Sequence, residues 1–166
     1  MSHRAQEIQP SGIRKFFDLL GEMKDVVSLT VGQPDFVTPW HIRAAAIESL
    51  EAGKTYYTSN AGLPRLREEI ARYLERRFHL CYDPATELLV TVGGSEAIDL
   101  AVRGVVDPGD EVIIPTPSFV CYAPLVTLAG GIPVEVATRE ADEFKLTPEA
   151  LRRALTPKTK LVILPF

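Results

Sequence analysis

Val90-Thr91-Val92-Gly93-Gly94-Ser95-Glu96-Ala97 is the stretch of this sequence whose residue types and order can do chemistry. It reads as a hydrophobic strand, a glycine pair and a helix start. Backbone amides at a helix N-terminus point outward unpaired, and the helix dipole adds roughly half a positive charge there. Two glycines present no β-carbon, so a phosphate can approach the backbone closely. The same residues also suit a tight turn in which Ser95 merely caps the helix. No Gly-Lys-Ser/Thr follows, which excludes a Walker loop. A dinucleotide fingerprint is also a poor match: the spaced third glycine is missing, and the next strand ends in Pro115-Thr116-Pro117 without an acidic residue for a ribose. A lone phosphate monoester is the ligand this turn suits best.

The elements that must position the turn follow from periodicity. Between Ser11 and Met23, Ile13, Phe16, Phe17, Leu19 and Leu20 share one helical face, with Ser11 able to cap it. Val26 to Val31 reads as extended, and Gly32-Gln33-Pro34-Asp35 as a turn. Thr38-Pro39 opens a helix that runs to about Ala52 and stops at Gly53, with Thr38 expected to accept from the first amides. From Pro64 to His79, Leu66, Ile70, Leu74 and Phe78 repeat at helical spacing.

After Asp83-Pro84 strands and helices alternate. Leu88 to Val92, Val112 to Ile114, Ile132 to Val136 and Lys160 to Pro165 read as strands. Helices are expected at Ser95 to Gly104, at Phe119 to Leu128, and after Thr147-Pro148. The pattern predicts an α/β fold in which helices cover both faces of a parallel-rich sheet. Leu161 to Leu164 reads as a central strand, and the sequence stops at Phe166, where a loop should begin. Ligands bind outside the carboxyl ends of such strands, so the expectation is an incomplete sheet with a further segment to follow.

The bulk properties narrow the partners. The 166 residues are 46% hydrophobic, enough for a sizeable core, and the net charge of -4 with scattered basic residues argues against nucleic acid. Cys81 and Cys121 form no C-x-x-C pair, and His3, His41 and His79 are too scattered for a metal site. Met1 to Ser11 lacks the apolar stretch of a signal peptide, and no apolar run approaches the roughly 20 residues that span a bilayer. A soluble cytoplasmic protein, with no membrane partner and no metal, is the expectation.

Gly32-Gln33-Pro34-Asp35-Phe36, then Tyr57-Thr58, Gly62-Leu63-Pro64 and Leu66-Arg67, then Thr91-Val92-Gly93-Gly94 and Asp107-Pro108-Gly109-Asp110-Glu111-Val112, form an ordered set. In order and spacing the set resembles fold-type I aminotransferases dependent on pyridoxal phosphate, in the branch that holds bacterial aspartate and aromatic enzymes. It covers the chain from Ser11 onward. The resemblance implies an N-terminal arm and small-domain segment at residues 1–40, and the front of the cofactor-binding large domain at 41–166. It implies amino-group transfer between an amino acid and a 2-oxo acid, in amino acid metabolism. Another enzyme of the same fold type, such as a carbon–sulfur lyase, and a non-catalytic phosphate-binding α/β module are the competing readings.

Site roles carried over from the resemblance fall on six residues. Gly94, Ser95 and Glu96 match positions that hold the cofactor phosphate, largely through backbone amides and the Ser95 hydroxyl. Phe119 matches the aromatic residue stacked on the pyridine ring, where many relatives have Trp or Tyr. Tyr57 matches a tyrosine that reaches the partner's phosphate across a homodimer interface. Gly32 matches the glycine lying against the substrate carboxylate. Gln33 departs from the Glu common at its position, and Tyr122, Arg103, Lys15 and Trp40 are read as structural. The resemblance also implies an Asn-Pro-x-Gly turn after Pro165-Phe166, then an Asp, the Schiff-base lysine and a carboxylate-binding Arg. None of Lys15, Lys24, Lys54, Lys145, Lys158 and Lys160 matches the lysine motif. The expectation is therefore no catalytic residue in this chain and no transamination by this stretch alone.

Overall fold

The structure, a computed structural model, describes residues 2–8, 27, 32 and 34–165. The helix expected at Ser11 to Met23, Gln33, and all of the extended piece at Val26 to Val31 except Val27 lie outside the described residues. The chain divides into two compact units, one of residues 1–11 with 91–166 and one of residues 12–90.

In the first unit, α1 (His3–Glu7) is capped by the Ser2 hydroxyl, which accepts the Ala5 amide at 3.3 Å. Then come α4 (Gly94–Val105), β1 (Glu111–Thr116), α5 (Tyr122–Ala129), β2 (Ile132–Ala137), a 3₁₀ turn at Glu140–Asp142, α6 (Pro148–Ala154) and β3 (Thr159–Val162). The second unit holds α2 (Trp40–Glu51) and α3 (Pro64–Phe78).

The three strands form one parallel sheet in the order β2-β1-β3. Val112, Ile113 and Ile114 of β1 are fully buried or nearly so, as a continuously apolar strand in a covered sheet should be. Side chains alternate faces along each strand. Val112 and Ile114 pack with Val102 and Val106 at the end of α4 and Val126 of α5, and Leu161 of β3 and Ile163 just beyond it join them. Ile113 points the other way, beside its register partners Val134 and Val162. α6 lies along β2 on that face, with Ala150 and Ala154 beside Val134 and Val136. Helices thus cover both faces of the sheet, as the alternation of elements predicts.

Local rules account for most boundaries. Thr147 caps α6, its hydroxyl accepting the Ala150 amide at 3.2 Å, and Pro148 fills the first helical position. Pro64 does the same for α3, which ends where His79 turns left-handed. Gly62 approaches Val90 so closely that a β-carbon there would lie 2.7 Å from the Val90 β-carbon.

Four expectations need correction. Leu88 to Val92 is not a ladder strand: Val90 donates to the Ala61 carbonyl at 3.1 Å, but no described strand runs beside it to pair its remaining backbone groups. The helix expected from Phe119 begins at Tyr122. Pro124 lacks an N–H and must sit in a first turn, so the first helical bond runs from Leu125 to the Cys121 carbonyl at 3.0 Å. Thr38 does not cap α2. Pro39 takes that position without a side-chain bond, and its carbonyl accepts Ile42 at 3.1 Å and Arg43 at 3.2 Å. Lys160 to Pro165, expected as one strand, is a strand only over Thr159–Val162, and β3 lies at the edge of the described sheet.

In the second unit the apolar stripe of α3 stays largely open, with Leu66 44% and Phe78 54% exposed. The buried residue of α3 is charged: Arg67 is 9% exposed. Its guanidinium donates to the Ala85 carbonyl at 3.0 Å, while its buried Nε has no partner among the described residues. Ala85 belongs to a tight loop in which the Asp83 carboxylate accepts the Ala85 amide at 2.9 Å and the Thr86 hydroxyl at 2.7 Å.

Candidate functional site

The glycine turn opens α4 by a backbone route that few residues can take. Gly93, at φ 86° and ψ 164°, occupies a region that a β-carbon forbids, and it is the residue preceding the first helical position. The Thr91 hydroxyl donates to the Gly93 carbonyl at 3.0 Å, and the Gly93 amide donates to the Thr91 carbonyl at 3.0 Å. The Glu96 carboxylate folds back and accepts the Val92 amide. Neither side chain was expected as a brace. The Glu three residues after the helix-capping position is the sequence signal that points to one.

The first backbone bond of the helix runs from Ala97 to the Gly93 carbonyl at 3.4 Å. The amides of Gly94, Ser95 and Glu96 precede it and so lack an intrahelical acceptor. No side chain caps the helix, so the bland reading of Ser95 as a cap fails, and its hydroxyl is exposed with no partner among the described residues. A β-carbon at Gly93 or Gly94 would find nothing within 4 Å. The result is an open cradle of outward amides, a free hydroxyl and a helix dipole, complementary to a phosphate.

Phe119 lies in the connection from β1 to α5 and is 46% exposed. It borders a cleft of about 370 Å³ beside Thr116, Ser118, Ala123 and Glu135, at the carboxyl end of β1. Gly94, Ser95, Glu96 and Phe119 all belong to the first unit, where α4 and α5 pack together on the core. Tyr57 and Gly32 belong to the second. Tyr57 is fully exposed on the irregular stretch between α2 and α3, and Gly32 is exposed with open space at its α-carbon. Among the described lysines, Lys160 sits on β3, and Lys54, Lys145 and Lys158 lie outside helices and strands. No group of three or more potential metal ligands occurs among the described residues, and no described helix is long and apolar enough to cross a membrane.

The sequence profile of the family described as aminotransferase class I and II matches residues 24–165. The chain belongs to that family. Among its relatives, YugH of Bacillus subtilis, a provisionally named aminotransferase, is 57% identical over 99% of this chain and 42% of that protein. The aspartate aminotransferase of Pyrococcus abyssi is 48% identical over 99% of this chain and 42% of its own length. A solved structure of the Thermus thermophilus aspartate aminotransferase with maleate superposes with a TM-score of 0.90 at 42% identity, covering 99% of this chain and 44% of that one. The aminotransferase fold is therefore that of this chain, which spans about 42% of the length of the curated relatives it matches.

Proposed function

We propose that this chain is the cofactor-phosphate portion of a pyridoxal-phosphate-dependent aminotransferase. The enzyme moves an amino group from an amino acid to a 2-oxo acid. The observation that carries the proposal is the cradle at Gly93–Glu96: three helix-start amides without intrahelical acceptors, beside two glycines with open space where a β-carbon would stand. Those features fit a phosphate monoester such as the cofactor's. Family membership supports amino-group transfer over the lyase and the non-catalytic module.

When bound, pyridoxal phosphate supplies an electron sink for bonds at the amino acid's α-carbon. This chain's own residues would do the holding. The amides of Gly94, Ser95 and Glu96 and the Ser95 hydroxyl bind the phosphate, while Thr91 and the Glu96 carboxylate keep the turn shut around it. Phe119 would offer an aromatic face to the cofactor's ring. Gly32 is assigned to the substrate carboxylate and Tyr57 to the partner's phosphate in a cytoplasmic homodimer. Residues 1–40 are assigned to an arm and small-domain segment, and 41–166 to the large domain. These assignments rest on the family resemblance.

The test uses the whole protein, supplied with single amino acids and a 2-oxo acid acceptor. Appearance of the acceptor's amino acid, matched by the donor's 2-oxo acid, is the expected result. Release of ammonia or sulfide without a new amino acid would replace transfer with lyase chemistry.

A further inference from the structure

Phe119 sits on a connection and is nearly half exposed, so its own position does not fix the plane of its ring. A neighbour supplies that constraint. The Tyr122 ring lies 5.5 Å from it, centroid to centroid, with the planes at 82°. The Tyr122 amide also donates to the Phe119 carbonyl at 3.2 Å, which ties the two residues together through the backbone. Tyr122 is itself anchored, because it opens α5 and packs against the core of Val102, Val106, Val112, Ile114 and Val126.

The pair matters because of its angle. Perpendicular aromatic rings attract edge to face, and the contact resists rotation of either ring. Whichever ring presents its edge, at least one face of Phe119 is left uncovered by Tyr122. A ring held still with a bare face loses less freedom when a second flat ring settles on it. We propose that Tyr122 is a positioning residue, setting the plane of Phe119 for stacking against the pyridine ring of pyridoxal phosphate. This rests on the reading of Phe119 given under Proposed function. The Tyr122 hydroxyl has no hydrogen bond among the described residues, so the flat ring and not the hydroxyl should carry the effect.

The experiment is a double-mutant cycle in the whole protein, stripped of cofactor and titrated with pyridoxal phosphate by absorbance and circular dichroism. Tyr122→Leu is expected to weaken binding about two- to tenfold, the range of an aromatic pair. Tyr122→Phe should bind within about twofold of the unchanged protein, since the ring persists. In a Phe119→Leu background, Tyr122→Leu should add nothing. Inorganic phosphate, which has no ring, should bind Tyr122→Leu as it binds the unchanged protein. Tyr122→Met repeats the comparison with a different filling of the core.

Equal weakening of pyridoxal phosphate and inorganic phosphate would overturn the proposal in favour of a general packing defect. So would the same loss from Tyr122→Leu in both backgrounds, or a loss in Tyr122→Phe as large as in Tyr122→Leu. Undiminished binding by Phe119→Leu would instead remove the stacking assignment itself, and this proposal with it.

Discussion

The carboxylate of Glu96 accepts the backbone amide of Val92, bridging the Gly93-Gly94 pair from the helical side while the Thr91 hydroxyl closes it from the strand side. An acidic side chain at this place serves two purposes: it satisfies a donor outside the helix and sits at the positive end of the helix dipole. Replacing Glu96 with Ala should cost about 1 kcal/mol, the usual size of a lost helix cap, and Glu96→Gln should recover part of it. Urea denaturation of the whole protein measures both. An Ala variant as stable as the unchanged protein would show that the brace carries no weight.

The two glycines of the turn should respond oppositely to a methyl group. At Gly93 the backbone lies where L-residues essentially do not go, so Gly93→Ala should destabilise by about 1–3 kcal/mol. Gly94 has ordinary helical geometry and empty space around it, so Gly94→Ala should leave stability unchanged or slightly raised. If the cradle holds phosphate, however, the new methyl stands on the approach side, and affinity for pyridoxal phosphate should fall roughly tenfold, or about 1.4 kcal/mol. Stability by denaturation and affinity by spectral titration separate the two effects. Full affinity in Gly94→Ala would place the phosphate elsewhere.

Asp83 should leave a mark on the acid side of the stability curve. The Ala85 amide and then the Thr86 hydroxyl donate to its carboxylate, Arg67 adds a smaller attraction, and slight desolvation opposes them; the pKa lies below its ordinary 3.8. A group depressed on folding stabilises fully above its unfolded value, and that contribution disappears as pH falls through the folded value. The stability difference between the unchanged protein and Asp83→Asn should therefore be flat near neutrality and shrink below pH 3.8. A difference of the same size at pH 3 and pH 7 would assign the effect to something other than the charge.

What was legible in the sequence was what neighbours in the chain decide. Thr147-Pro148 and Pro64 open helices because the cap and the missing proline amide act within a single turn. The glycine turn was readable for the same reason, and the parallel sheet from the alternation of strands and helices along the chain. Pro124 carried the signal for the true start of α5, since a proline cannot donate from a second turn, and that signal outweighs the aromatic at Phe119. Contacts distant in the chain were not legible. Leu88 to Val92 has the composition of a strand, yet a strand exists only through its neighbours. The helical spacing of α3 was readable, but Leu66 and Phe78 on it stay exposed, whereas Arg67 is buried with its guanidinium donating to the Ala85 carbonyl eighteen residues away. At the site, Glu96 was readable as an amide donor, but the reach of its side chain depends on the turn having formed.

Glu143 tests whether strain near the end of β2 is stored in the backbone. It closes the 3₁₀ turn at φ 54° and ψ 34°, and Phe144 follows at φ 55°, so two successive L-residues with β-carbons adopt left-handed geometry. Such a conformation costs roughly 1–2 kcal/mol per residue, and glycine avoids it at an entropic cost of about 0.5–1 kcal/mol. Glu143→Gly should therefore stabilise the whole protein by roughly 0.5–1 kcal/mol. Loss of the ion pair with Lys145 subtracts little, because both side chains are more than 70% exposed. Glu143→Ala discriminates between causes: it removes the same charge but keeps the β-carbon, and should show no gain. If Ala stabilises as much as Gly in thermal denaturation, the carboxylate was the liability and the backbone at this turn is relaxed.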